Sequence, residues 1–187
     1  MFGIGEQLQE HHSGKESHLY VEKLIRSAKE LWIVSPYLDV YYANFLRDNA
    51  RGKRIRILSS SPDLAAEKIL FQNTHPLVFS VIVIIIALIV YSQYSLGGLS
   101  IITLGAAFFI VIASGVLLLR RSYDIKMRRP KDFVHMKLYI TDKYAIQGSA
   151  NLTYNGLHSN VEHVQIIRDE KIVEELRKDF LNLWNQS

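Results

Sequence analysis

The segment Val134-His135-Met136-Lys137-Leu138-Tyr139-Ile140-Thr141-Asp142, followed after Lys143 to Gln147 by Gly148-Ser149-Ala150-Asn151, decides how the rest of the chain is read. Val134, Met136, Leu138 and Ile140 alternate with His135, Lys137, Tyr139 and Thr141, the period-two pattern of a strand with one face in a core. His135 and Lys137 therefore project from one face. Two residues of strand advance the chain by about 6.6 Å, so an imidazole and an ammonium can both reach one phosphate-sized anion. Asp142 has the opposite parity and falls at the strand end, which gives it a structural role.

The spacing His135-x-Lys137-x4-Asp142, with Gly148-Ser149-Ala150-Asn151 close behind, resembles the signature of the phospholipase D superfamily, often called the HKD family. The family usually has one residue more between the Asp and the Gly-Ser than the stretch from Lys143 to Gln147 supplies. A hairpin shortened by one residue accounts for the difference and shifts the register of the loop carrying Ser149 and Asn151. A strand over 161–167 places Glu162 on a face with Val164 and Ile166, where a carboxylate is costly unless paired. The alternative is an edge-strand Glu turned to solvent.

The resemblance implies an α/β fold, a phospholipase D-like βαβ sandwich with a mixed sheet flanked by helices. It implies that His135 attacks phosphorus to form a phosphohistidine, that Lys137 and the Asn151 amide hold the phosphoryl oxygens, and that Ser149 donates a hydrogen bond. Glu162 matches the family's Glu that hydrogen-bonds and orients the catalytic histidine, while Asp142 and Gly148 are structural. Neither metal nor cofactor is implied. In the family two motifs face each other, and this chain has one, so a homodimer sharing one active site follows, with the second His135 protonating the leaving oxygen. His158 and His163 lack a Lys two residues on and are read as non-catalytic.

At 187 residues the chain has room for one domain and an appendage. Residues 76–119 contain no Asp, Glu, Lys or Arg. Within them, 76–90 and 101–119 are apolar runs separated by a stretch containing Gly97-Gly98, and each extends to about 20 residues, enough to span a hydrocarbon core of about 30 Å. The expectation is a transmembrane helical hairpin over 73–121, making the chain a multi-pass membrane protein with two spans. Tyr91, Tyr94 and Tyr123 are its candidate interfacial aromatics. A buried hairpin in a soluble core is the weaker alternative, because so small a domain has no layer to cover two all-round apolar helices. Arg120, Arg121, Lys126, Arg128, Arg129 and Lys131 crowd after the second run with only Asp124 opposing them, which puts both flanking parts on the cytoplasmic side.

The remaining chain divides into a flexible leader over 1–17, a first part of the HKD domain over 18–72, and a second part over 122–187 that carries the motif. His11 and His12 in the leader have no third ligand pattern near them and make a poor metal site. Helices are expected from His18, over 40–50 and over 169–184, and strands over 31–34, 54–58 and 123–127. With no cysteine, disulfides, thiolate metal sites and a cysteine nucleophile are excluded. The net charge of +4 is too modest to argue for nucleic acid by itself.

Single-motif family members resembling this chain include Nuc-type and Zucchini-type phosphodiesterases. The reading is a membrane-anchored phosphodiesterase acting on nucleic acid or phospholipid, with an endonuclease placed ahead of a phospholipase D or cardiolipin-type lipid hydrolase or transferase. A non-catalytic membrane adaptor with a degenerate HKD fold is the alternative from another class.

Overall fold

The computed structural model describes residues 8–71 and 124–187, which belong to one compact unit. The hairpin expected over 73–121 lies outside the described residues. Among the described residues no helix is long and apolar enough to cross a membrane.

In chain order the elements are β1 (Gln9–Gly14), α1 (Ser17–Ser27), β2 (Glu30–Val34), β3 (Tyr37–Leu38), α2 (Val40–Asp48), β4 (Arg54–Leu58), β5 (Ser61–Pro62) and α3 (Leu64–Phe71). After the undescribed stretch come β6 (Asp124–Arg128), β7 (Leu138–Ile140), β8 (Ala145–Gly148), a π-helix (Asn155–Ser159), β9 (Glu162–Ile167) and α4 (Glu170–Gln186). A mixed seven-stranded sheet runs β1-β9-β8-β7-β2-β4-β6. Strands β2, β4 and β6 are parallel, as a strand–helix–strand connection through α2 requires, and the rest pair antiparallel.

Side-chain alternation divides the sheet between two cores. Ile33, Ile55, Ile57, Tyr139, Ile146, Val164 and Ile166 pack with Val21, Leu24 and Ile25 of α1, Tyr42 and Leu46 of α2 and Leu70 of α3. Trp32, Val34, Leu58, Leu138, Ile140 and Ile167 meet Val173 and Phe180 of α4 on the other face. With both faces covered, the central strands read as continuous apolar runs, as Leu31 to Val34 do.

Two expectations are corrected. The flexible leader is a strand over Gln9–Gly14: it pairs with the whole of β9 and closes that edge of the sheet. It carries no apolar residue and is tied instead by polar cross-strand contacts, Gln165 to Gln9 at 2.9 Å and Arg168 to Glu10 at 2.6 Å. The motif strand is shorter than its alternation implies. Ladder pairing begins only at Leu138, opposite Val34, because β2 ends there and turns away at Ser35-Pro36. Met136, expected in the core, is 42 % exposed.

The shortened hairpin resolves into a tight turn. Ile140 pairs with Ala145, and Thr141 donates its N–H to the Tyr144 carbonyl at 3.0 Å, so only Asp142 and Lys143 form the tip. The register that results sets Lys137 against Gly148, whose N–H donates to the Lys137 carbonyl at 3.2 Å.

Candidate active site

Topology brings the motif to one end of the sheet. The parallel strands β2 and β4 finish at Val34 and Leu58; β7, running the other way, begins there, β8 ends there and β9 starts there. The carboxyl end of parallel strands is where open α/β sheets place ligands. His135, Lys137, Ser149, Asn151 and Glu162 all lie in the segments that meet at this end.

His135 is exposed, whereas Lys137 is only 6 % exposed. The Lys137 ammonium donates to the His135 carbonyl at 2.8 Å and lies 3.0 Å from Nδ1 and 3.3 Å from Nε2 of its ring. The similar distances to the two nitrogens place the ammonium over the face of the ring, not in line with either lone pair. Burial lowers the Lys137 pKa from the ordinary amine value of 10.5, and the nearby Glu162 charge opposes that shift.

Glu162 does share a face with Val164 and Ile166, but it does not hydrogen-bond His135. Its carboxylate accepts from the Ser149 hydroxyl in a short contact and from the Asn160 amide at 3.1 Å. Neighbouring strands stand about 4.8 Å apart. Glu162 on β9 is one strand from the end of β8, and His135 leads into β7, two strands away. The nearer partner wins.

Ser149 is a junction. It accepts the His163 N–H at 2.9 Å and spends its single donor on Glu162, so it can serve a phosphoryl oxygen only by releasing that carboxylate. The Asn151 side-chain oxygen is buried without a hydrogen-bond partner among the described residues. Gly148 is required by packing: a Cβ there would come within 1.9 Å of the His163 carbonyl oxygen. Asp142 is exposed and makes no hydrogen bond or ion pair among the described residues; Thr141 closes the turn, its hydroxyl donating to the Tyr144 carbonyl at 2.8 Å and accepting the N–H groups of Lys143 and Tyr144.

A supporting layer was not foreseen. Ser60 at the end of β4 holds Val134 from both sides, accepting its N–H at 2.9 Å and donating to its carbonyl at 3.3 Å, immediately before His135. Ser35 accepts the Leu152 N–H at 2.9 Å, and the buried Tyr139 phenol donates to the Ala150 carbonyl at 2.9 Å. Burial raises the Tyr139 pKa, so the phenol stays a donor. The only sequence signal was the serines at two strand ends, which read equally well as chain breakers.

His158 lies 3.1 Å from the Tyr42 hydroxyl and 3.4 Å from Glu22, and His163 lies 3.0 Å from the Ser13 hydroxyl. Both histidines are thus engaged away from His135. Among the described residues no group of three or more His, Asp or Glu side chains is placed to hold a metal ion.

Residues 100–184 match the family model described as "Cardiolipin synthase, PLD-like domain", a span that contains every motif residue and somewhat less than half of the chain. A search among curated proteins finds no match. Among solved structures, NucT from Helicobacter pylori is similar with a TM-score of 0.56 at 13 % identity, covering 95 % of this chain and 96 % of that one. Nuc from Salmonella typhimurium, a phospholipase D family member, gives 0.54 at 20 % identity with 95 % of each chain covered. The fold is that of the phospholipase D family. A polyphosphate kinase from Porphyromonas gingivalis contains a similar region, with a TM-score of 0.54 at 10 % identity over 96 % of this chain and 26 % of that one. The phospholipase D fold thus serves more than one reaction, and the chemistry here has to be argued from the side chains.

Proposed function

We propose that this chain is a phosphodiesterase that works through a phosphohistidine on His135. The observation that carries the reading is the Lys137 ammonium 3.0 Å from the His135 ring. It sets the imidazole that would attack beside the cation that the phosphoryl oxygens need.

In the first step a ring nitrogen of His135 bonds to phosphorus and the bond from phosphorus to the leaving oxygen breaks. Lys137 and the Asn151 amide take the non-bridging oxygens. The leaving oxygen receives a proton from His135 of a second copy, because one imidazole cannot attack and protonate at once. That second imidazole, now neutral, takes a proton from water, which displaces His135 from phosphorus and releases a phosphomonoester. Glu162, clamped by Ser149 and Asn160, supplies a charge that favours the protonated Lys137, and Gly148 stays structural. A homodimer sharing the site follows from the single motif.

Nucleic acid is placed ahead of phospholipid as substrate. Lipid is the second reading, favoured by the cardiolipin synthase description of the matching family model. The uncharged residues 76–119 are proposed to anchor the chain by two spans with the site on the cytoplasmic side.

The test is hydrolysis of single-stranded and double-stranded nucleic acid and of phosphatidyl lipids by the full chain in detergent, beside His135→Ala. The expected result is cleavage of at least one diester, acid-labile phosphate on the wild-type protein and neither in the variant. Absence of cleavage on every diester would move the assignment to a non-catalytic membrane adaptor. A fully active monomer, by mass measurement in detergent, would remove the shared site.

A further inference from the structure

Four aromatic rings on the rim of the site have no task in the hydrolytic scheme. Phe133, Tyr154, Tyr41 and Tyr37 are 57 %, 47 %, 44 % and 43 % exposed, in a fold that buries Tyr42 and Tyr139 almost completely. They fall into two pairs. Phe133 has its ring centre 6.3 Å from the His135 imidazole and 6.2 Å from Tyr37. Tyr154, just beyond Asn151, lies 5.2 Å from Tyr41, edge to face. One pair therefore adjoins the nucleophile and the other adjoins the Asn151 loop. The chain between Tyr37 and Tyr41 links them, held to that loop by the bridge between Leu38 and Leu152.

The second pair is also braced from beneath. Tyr154 lies flat on His158 at 4.6 Å and 16°, and His158 lies on His18 at 4.2 Å and 20°. Tyr42 and Glu22 anchor the middle ring. The π-helix carrying His158 is pressed onto the motif loop, since a Cβ on Gly156 would come within 2.7 Å of the Asn151 carbonyl oxygen. Single-turn π-helices of this kind often mark functional sites. The position of Tyr154 is thereby tied to that of Asn151.

We infer that these pairs are base-stacking platforms and that the site takes single-stranded nucleic acid, with a base resting on each pair and the phosphate between them at His135 and Lys137. This rests on the phosphodiesterase reading. An unpaired base offers a free π-face to any ring regardless of its identity, whereas in a duplex those faces are already stacked. A lipid surface would ask for apolar groups able to insert among acyl chains. Three of the four rings carry hydroxyls, and two imidazoles lie under one of them.

The experiment measures binding by the full chain in detergent, carrying His135→Ala to prevent cleavage. The probes are a single strand, the matching duplex, and a strand of equal length built from abasic sites. The expected result is tighter binding of the base-bearing single strand than of the other two. Tyr154→Ala and Phe133→Ala should each reduce the ratio of base-bearing to abasic affinity by roughly 5- to 150-fold. Tyr154→Phe should keep that ratio, whereas Tyr154→Leu should not.

Equal affinity for base-bearing and abasic strands overturns the inference. If the wild type still cleaves the abasic strand, the phosphodiesterase reading survives that failure. Two other outcomes overturn it with the ratio unchanged: ring variants that lose binding to phosphatidylglycerol vesicles point to a lipid surface, and a Phe133→Ala chain that falls to monomers points to a second copy covering that ring.

Discussion

Lys53 and Lys137 are the same side chain at opposite ends of the sheet, one before the amino end of β4 and the other beside the carboxyl end of the neighbouring β2. Burial lowers the pKa of both; the Arg26 charge adds to the shift at Lys53, and Glu162 opposes it at Lys137. Their acceptors differ. Lys53 donates to the carbonyls of Ile25 and Arg26 at 2.6 and 2.7 Å, capping the C-terminal end of α1, where the helix dipole favours a cation. Lys137 donates to a single carbonyl and otherwise faces an imidazole. Burial and pKa direction thus do not separate a cap from the cation proposed to act in catalysis. The neighbours do: carbonyls cannot react, and an imidazole can.

The largest effect that sharpens this contrast is on turnover. Lys137→Met should lower hydrolysis by at least about 10³-fold, as loss of a group acting with the nucleophile does, while thermal unfolding changes little. Lys53→Met should leave turnover in place and cost about 1–2 kcal/mol of stability, the worth of charge-assisted bonds to a helix end. Equal loss of turnover in the two variants would erase the distinction.

Next in size is Gly148→Ala. The added carbon meets backbone, so β8 and β9 must part, at a cost on the order of 3 kcal/mol or more. Because Gly148 lies opposite Lys137, turnover should fall with stability. A variant with a wild-type melting temperature would show that the two strands can separate freely at this end.

A smaller effect concerns pH. The lowered Lys137 pKa means that its positive charge, and with it affinity for inorganic phosphate, is lost as pH rises through a value below 10.5. Glu162→Gln removes the charge that holds this pKa up, so the alkaline limb of phosphate binding should move to lower pH. Lys53→Met should leave the limb where it is. A limb unmoved by Glu162→Gln would mean that the carboxylate acts only through Ser149 and Asn160.

Much of this was legible in the sequence. Apolar runs closed by Gly52 and by Ser-Pro marked β2, α2 and β4, and parity placed His135 and Lys137 on one face. What stayed hidden was pairing. Gln9–Gly14 has no apolar residue, so no periodicity flags it, yet it fills the edge next to β9 through polar partners. Alternation puts Glu162 on the face it occupies without naming its partners there, because it reports which way a side chain points and is silent on which strand lies alongside. The Ser60 clamp on Val134 joins residues far apart in the chain, and nothing local announces it.

The smallest predicted effect lies at the far end of the β7–β8 hairpin and tests the same lesson on neighbouring residues. The motif pattern points to Asp142 as the structural residue. In the fold Thr141 is buried and its hydroxyl bonds three backbone groups of the turn, while its carbonyl accepts from Arg177 at 3.3 Å. Thr141→Val removes the hydroxyl at nearly constant volume, leaving the Lys143 and Tyr144 N–H groups without an acceptor, and should cost about 1–2 kcal/mol. Asp142→Ala should stay within about 0.5 kcal/mol, as exposed substitutions usually do. Chemical denaturation of the two variants decides between them. The reverse order would show that the Asp142 carboxylate finds a partner in the assembled protein that it lacks among the described residues of one chain.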